Sequence, residues 1–435
     1  MQNCPISCNK DVMKPLIDVE NKAPAVFLVG IKDHNTSKDE SESMIRELAG
    51  LSDTLGLEII GQEIVNIREK HFQYGIGTGK AAEISEKATS LGAECLIFDR
   101  EISPSQQRNW EKLANFSVMD RQELIIQIFT SRARTREAAL QTELAELNYS
   151  LPRLQHKYID LNRQRGGRYG TRGSGETKLE TDRRQVEQRI NRLEKEIEEV
   201  RKQRDIQRKQ RQRQQIPTAA LIGYTNAGKS TLLNKITGAD VLAEDKLFAT
   251  LDSTSRRVEL PGGLPVLLID TVGFIRRLPH SLIRAFHSTL EEACLSDLLI
   301  HVLDASDPDV EVQYETTMSV IQDLGAGEIP KLTVLNKSDK ADAPESLDRL
   351  QKIYPDSVAV SAVTGDGLPQ MLKQMESVLA GNFQRYSFPQ NRTDLAALLH
   401  RSGTVISEKY IGEQIEMEAL VDNATAGRLK EFVRN

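Results

Sequence analysis

The sequence predicts an α/β protein of several domains: a small α/β domain, a long antiparallel helical hairpin, and a second α/β domain built on a phosphate-binding loop. Three observations carry this. Strand-like and helix-like segments alternate through residues 23–130 and again from 216 to about 379, the pattern of mainly parallel sheets crossed by helices. Between those regions, two stretches place apolar residues at steps of four and three, the spacing of a helical seam. The third observation is "GYTNAGKS", residues 223–230, which fits G-x-x-x-x-G-K-S between an apolar strand and a helix.

Length and charge set the frame. A chain of 435 residues exceeds one compact core. We expect a flexible N-terminus (1–22), an α/β domain (23–130), a hairpin arm (131–215) with its tip loop at 163–177, a nucleotide domain (216–382) and a small C-terminal α+β domain (383–435). Hydrophobic content of 39% with 28% charged residues is ordinary for a globular protein. No run of eighteen apolar residues marks a membrane span. The start, "MQNCPISCNKDVMK", has no apolar segment of the secretory kind. Four cysteines, Cys4, Cys8, Cys95 and Cys294, make no disulfide framework, and no partner pair sits near Cys4 and Cys8 to hold a metal. A cytoplasmic location is expected. The net charge of −6 hides an asymmetry: residues 151–215 carry +9 and the remainder −15. An acidic chain with one basic arm points to a polyanion partner touched by that arm.

In the first domain "AVFLVG", "LEIIGQEIV", "CLIFD" and "SVMD" read as strands, and "SESMIRELAGLSDTL", "KAAEISEKATSL" and "SPSQQRNWEKLAN" as helices. "YGIGTGK", residues 74–80, resembles a phosphate loop but lacks the spacing, so a plain strand-to-helix turn is expected there. The first seam runs Leu140, Leu144, Leu147, Leu151, Leu154, Tyr158, Leu161, and Pro152 is expected to kink its helix. Next comes "RQRGGRYGTRGSG", with four arginines and five glycines in thirteen residues. Thr177 and Glu180 have the spacing of a capping box. A second seam, Val186, Ile190, Leu193, Ile197, Val200, then allows the two helices to fold back on each other. The second helix ends with seven cations between Arg201 and Arg213. That exceeds what a helix dipole calls for, so contact with a phosphate backbone is the better reading over a solvated helix end.

From residue 216 the candidates "RRVEL", "PVLLID", "LLIHVLD", "KLTVLNK" and "SVAVSA" continue the strand pattern. Gly223 and Gly228 let the loop wrap its amides around phosphate, with Tyr224, Thr225, Asn226 and Ala227 between them. Lys229 neutralises phosphate charge, Ser230 ligates Mg²⁺, and Thr231 opens the helix behind them. "DTVG" places Asp270 to hold the metal through water, with Thr271 and Val272 leading to the Gly273 amide as sensor of the γ-phosphate. "NKSD" supplies Asn336, Lys337 and Asp339, whose carboxylate accepts from two guanine donors that adenine lacks. "SAV", Ser361, Ala362 and Val363, ends the next strand where a backbone amide meets the guanine carbonyl. These elements, in this order, read as a P-loop GTPase domain. "LFATLDSTSRR", with Phe248 and Ala249 beside the nucleotide, offers Thr250 or Thr254 to the metal, and Thr250 is preferred. The catalytic group is then Lys229, Thr250, Gly273 and Asn226. Phe274 stands where a Gln orients water in other GTPases, so slow hydrolysis by the free protein is expected. Asn226 in a P-loop paired with such a hydrophobic residue suggests a K⁺ ion beside the phosphates; the alternative is an Asn that bonds its own loop.

Taken with "GTRGSGETKLETDRR", "GYTNAGKST", "FATLDST" and "DTVGFI", the chain resembles the HflX family of translational GTPases over most of its length. It departs from the family habit at Ser174 and Ser253, where Pro is common, and at Lys178, where Gln is common. The resemblance implies binding of GTP and GDP and a partner in the large ribosomal subunit. The arm would reach 23S rRNA near the peptidyl transferase region. Arg163, Arg165, Arg168, Arg172 and Lys178 would make that contact, with arginine suited to both phosphate and stacked bases. It also implies splitting or rescue of stalled or idle 70S ribosomes under stress, by a protein expected to be monomeric. Assembly of the large subunit would use the same arm. A GTP-independent RNA chaperone would bind any structured RNA alike, and a heptad scaffold leaves the Arg/Gly loop unexplained.

Overall fold

The apolar run Ala25–Lys32 forms β1, buried at seven of its eight residues and hence covered on both faces, in a computed structural model. The structure describes residues 23–69, 71–164, 174–212, 216–238, 246–251, 254–277, 292–340, 343–379, 383–421 and 423–434. Contacts divide the chain into two units. The first runs to Arg201 and includes Glu244–Asp252 and Arg277–His287; the second holds Lys202–Ala243, Ser253–Arg276 and Ser288–Asn435.

In the first unit β1 pairs with β2 (Glu58–Asn66) on one side and β3 (Cys95–Phe98) on the other, and β3 pairs with β4 (Ser117–Asp120). All three pairings are parallel, as the alternation of strand and helix requires. Helix α1 (Lys38–Thr54) starts where Ser37 Oγ accepts from the Glu40 amide, with Asp39 and Glu40 at the positive end of the dipole. Helix α2 spans Thr78–Ser90. Helix α3 (Pro104–Ala114) carries a full capping box from Ser103 and Gln106 with Pro104 in its first turn.

Helix α4 (Arg121–Arg132), N-capped by Asp120, is an element the sequence reading did not separate. Helix α5 (Arg136–Gln164) runs through Pro152 as one uninterrupted helix. Beside that residue, Arg153 reaches back to the Tyr149 carbonyl at 3.1 Å. Helix α6 is Ser174–Gln212. It therefore begins three residues before the expected cap at Thr177: Ser174 and not Thr177 stands at the boundary, so Thr177 and Glu180 lie inside the helix. The antiparallel register follows from two pairings, Arg189 with Glu143 at 2.7 Å and Arg136 with Glu196 at 3.8 Å. Ile190 and Leu193 of the second seam are buried.

Four side chains, Asp120, Glu123, Tyr149 and Arg153, lock the root of α5. Tyr149 donates to Asp120 (3.2 Å) and Glu123 (3.0 Å), and Arg153 donates to Asp120 (3.2 Å) while lying over the Tyr149 ring. Burial, with Asp120 beside it, lifts Glu123 to about 7.

The second unit is a six-stranded sheet, order β10-β9-β8-β5-β7-β6. Its strands are β5 (Thr218–Gly223), β6 (Thr254–Glu259), β7 (Pro265–Asp270), β8 (Leu298–Asp304), β9 (Lys331–Asn336) and β10 (Val358–Ala359). Only β6 runs antiparallel. Helices α7 (Lys229–Thr237), α8 (Val310–Asp323), α9 (Ala343–Ile353) and α10 (Leu368–Leu379) accompany it. β5 is flanked on both sides, so the loop leaving its C-terminal end sits where doubly wound sheets place ligands. The C-terminal residues form β11 (Phe383–Pro389), α11 (Thr393–Ser402), β12 (Gly403–Ile411), β13 (Gln414–Val421), α12 (Asn423–Arg428) and β14 (Val433–Arg434). That sheet is antiparallel, order β12-β13-β11-β14, over a core of Tyr386, Phe388, Leu399, Ile415 and Met417. No helix among the described residues is long and apolar enough to cross a membrane.

Candidate nucleotide site

The loop 223–228 leaves β5 and turns into α7 between two glycines, Gly223 and Gly228, that have no room for a Cβ. Gly228 has φ +90, and a Cβ there would stand 2.2 Å from Asn336 Nδ2. Gly273 is as confined: its Cβ would meet Thr225 Cα at 2.7 Å and Lys229 Nζ at 3.0 Å. The backbone is thus left bare along the path a polyphosphate takes. Asn226 adopts a left-handed φ of 60 on the exposed side of the loop, while Tyr224, Thr225 and Ala227 are buried.

Lys229 opens α7 with its ammonium folded back onto the carbonyls of Gly223 (3.1 Å) and Tyr224 (2.7 Å). Burial draws its pKa down to about 8, with Asp270 acting against the shift. A phosphate would relieve that desolvation. The same burial holds His301 of β8 neutral, with Lys229 adding to the effect. Ser230 donates to Asp270 Oδ2 at 2.6 Å. A hydroxyl and a carboxylate oxygen side by side suit Mg²⁺, which takes one or two protein oxygens and keeps its waters. No cluster of three or more His, Cys, Asp or Glu forms a metal cage among the described residues. Thr231 follows in the helix, half-buried.

After Asp270, Thr271 donates to the Leu221 carbonyl at 2.6 Å and Val272 is buried. Phe274 is buried too, and its backbone stitches this strand end to the loop: its amide donates to Gly223 O (3.0 Å), its carbonyl accepts from the Thr225 amide (2.8 Å). The Tyr224 hydroxyl accepts from the Arg276 amide at 2.7 Å. Phe248, Ala249 and Thr250 lie in the described stretch 246–251, which belongs to the first unit. There Phe248 packs edge-on against Phe129, centroids 4.7 Å apart, and Leu247 N–H donates to Thr54 Oγ1 at 3.2 Å.

The base-side loops are tied together by one residue. Asn336 Nδ2 donates to the Ala227 carbonyl at 2.9 Å, and its Oδ1 accepts from the Ala362 amide at 3.0 Å. In this structure the Ala362 N–H, one of the amides expected to face guanine, is therefore spent on Asn336. Ser361 Oγ donates to Asp339 Oδ1 at 2.6 Å, orienting the carboxylate. Lys337 pairs with Asp304 at 2.7 Å. Val363 is exposed, and its carbonyl accepts from Lys235 at 2.9 Å. Sequence reasoning assigned Asp339 a base contact but missed its orienting partner Ser361, and it missed Asp304 and the double bond of Asn336. The last was hinted at only by the Asn in "NKSD" standing next to a P-loop in three dimensions.

Of the basic residues assigned to RNA, Arg165, Arg168 and Arg172 lie outside the described residues, and so do the side chains of Arg163 and Lys178. In the first domain the "YGIGTGK" lysine, Lys80, pairs with Glu63 and Glu83 at 2.6 Å.

Comparison with known proteins accords with this geometry. Residues 42–130 match a family model described as GTP-binding GTPase N-terminal, 132–211 one described as GTP-binding GTPase middle region, and 218–337 one described as 50S ribosome-binding GTPase. The chain is 44% identical over 424 residues to a GTPase HflX from Akkermansia muciniphila, covering 94% of this chain and 96% of the relative. It is 43% identical over 352 residues to GTPase HflX of Escherichia coli K12, covering 81% and 82% respectively. A solved GTP-binding protein from Sulfolobus solfataricus in complex with GDP aligns over 82% of this chain and 98% of its own, at 23% identity and a TM-score of 0.44.

Proposed function

This chain belongs to the HflX family of GTPases, and from that premise we propose that its GTP cycle drives binding to, and separation of, the large ribosomal subunit. The chain binds and hydrolyses GTP. In the proposed cycle the GTP form engages the large subunit, the basic tip of the α5/α6 hairpin meets 23S rRNA near the peptidyl transferase region, and stalled or idle 70S ribosomes are split under stress. Arg163, Arg165, Arg168, Arg172 and Lys178 supply the RNA contacts. Hydrolysis then favours release. The working place is the cytoplasm and the working form a monomer, because a hairpin of two seams does not require a second chain.

Asp339, steadied by Ser361, selects guanine. Lys229 turns from its two carbonyls to the phosphates. Ser230 and, through water, Asp270 would hold Mg²⁺, which would supply positive charge against the phosphates. Thr250 is assigned to the metal on its place in the sequence between the P-loop and Asp270. Asn226, exposed on the loop, is the proposed K⁺ ligand.

The observation that carries the dependence on a partner is Phe274. Its ring is buried and its backbone is committed to the P-loop strand, so no side chain at that position orients the attacking water. Hydrolysis is then slow alone and completed on the ribosome. The test is GTP turnover with and without purified large subunits, in potassium and in sodium buffer. Stimulation by subunits supports the reading, and a further fall in sodium supports the K⁺ site. Equal turnover with and without subunits in both salts would remove the ribosome as activator.

A further inference from the structure

We infer that Phe72 is a base-stacking residue, displayed on a braced turn of the first domain to receive an unpaired base of RNA. The inference rests on the proposed engagement of ribosomal RNA and adds to it a contact outside the arm and outside the GTP site.

The turn His71–Gly75 is closed by an antiparallel bridge, by the Gly75 amide donating to His71 O at 2.8 Å, and by a left-handed φ of +78 at Gly75. Its carbonyls are then taken one after another by side chains of α3. Gln106 Nε2 reaches His71 O (3.5 Å) and Phe72 O (3.3 Å), Asn109 Nδ2 reaches Gln73 O (2.9 Å), and Trp110 Nε1 reaches Tyr74 O (2.9 Å). The Tyr74 ring packs edge-on against Trp110, and Ile76 is fully buried. Four consecutive carbonyls are thus held from one helix.

On this fixed support Phe72 is 89% exposed, more than any other large hydrophobic residue described. A ring that stabilised the domain would lie on its surface. This one contributes no burial, although the turn carrying it is rigid. Rigidity lowers the entropy lost on binding, which favours display. Its exposed neighbours in sequence are polar: Arg68, Glu69, His71 and Gln73. Anchors for proteins cluster with other apolar groups that exclude water. A base asks less, an open ring face with donors and a cation nearby, and stacking tolerates any sequence.

The test uses the full-length protein with Phe72→Ala, Phe72→Leu and Phe72→Trp. Fluorescence of Trp110, the chain's single tryptophan, reports folding of the domain in the first two variants. Affinity is measured for purified large ribosomal subunits and for a fluorescent RNA hairpin with an unpaired loop. Ala and Leu should each weaken binding about tenfold. Trp should match the wild type, and its new exposed indole should be quenched as RNA is added. Wild-type affinity in the Ala variant on both probes overturns the inference. Full retention by Leu also overturns it and assigns the turn to an apolar protein pocket. Failure of the wild type to bind subunits would sink the ribosomal reading alone; the hairpin then decides stacking, and equal hairpin affinity for wild type and Ala, or none for either, ends the stacking proposal.

Discussion

Removing the Asn336 side chain tests whether the nucleotide loops are one bonded frame. Asn336 is buried, with one bond to the P-loop at Ala227 and one to the 361–363 loop at Ala362. Asn336→Ala leaves a buried carbonyl and a buried amide without their partner. Each costs about 1–3 kcal/mol. Partial hydration of the space left by the amide makes about 3 kcal/mol a fair total, and where half or more of it falls on the nucleotide-bound state beyond what the free state bears, Kd for a fluorescent GDP analogue rises about ten- to a hundredfold. Asn336→Asp separates the two bonds. It keeps an acceptor for Ala362 but sets a carboxylate oxygen against the Ala227 carbonyl, so it should bind no better than Ala. Circular dichroism at low temperature confirms that each variant is folded before titration. A folded Ala variant with a Kd within threefold of wild type would refute the bracing argument and reduce the two bonds to consequences of packing.

Two further outcomes are expected. Asp339→Asn replaces an acceptor of two guanine donors by an amide while Ser361 still steadies it, so the preference for GTP over xanthosine triphosphate should fall about a hundredfold in a competition assay; an unchanged preference would contradict the base contact. Glu123 has a folded pKa of about 7 against an ordinary 4.5, so the stability gained from its protonated form is full below about pH 4.5 and is lost as pH rises through 7. Glu123→Gln should therefore stabilise the first domain at pH 8 by up to about 3 kcal/mol, with the gain fading toward pH 5, in denaturation followed by Trp110 fluorescence; a gain independent of pH would show that charge at Glu123 is not its source.

What was legible in the sequence was local. The P-loop, "DTVG" and "NKSD" are contiguous, and each lands at the end of a strand, because a parallel sheet delivers all its C-terminal ends to one edge. The seams of α5 and α6 gave the antiparallel pair because their spacing is regular. Helix α4 was missed because "LIIQIF" is apolar on nearly every side, and a short apolar run does not distinguish a buried helix from a strand. The Asp120–Glu123–Tyr149–Arg153 cluster was invisible for another reason: its partners lie 26–33 residues apart on separate elements. The start of α6 was misplaced by one turn because Thr177 and Glu180 have capping-box spacing, which also occurs inside a helix, where both residues lie.

Backbone strain draws the same boundary from a different direction. Among the described residues, five other than glycine have positive φ. Asn115 closes α3, an ordinary use. The other four are Asn226 in the P-loop, Lys337 in "NKSD", and Phe248 and Arg277 on the segments either side of "DTVG". Left-handed backbone costs about 1–2 kcal/mol at residues with a Cβ, more readily tolerated at Asn than at a bulky aromatic. Such conformations persist where surrounding contacts over-determine them. At Lys337 the contact is the ion pair with Asp304. At Phe248 it is burial against Phe129 beside the Leu247–Thr54 bond, and at Arg277 a 3.7 Å pairing with Glu40. Strain on the base side is thus borne within the nucleotide domain, whereas strain on the two segments flanking "DTVG" is borne by contacts in the first unit. A stability measured on residues 216–382 alone would lack the second set of restraints, and Phe248 and Arg277 would be free to leave the left-handed region.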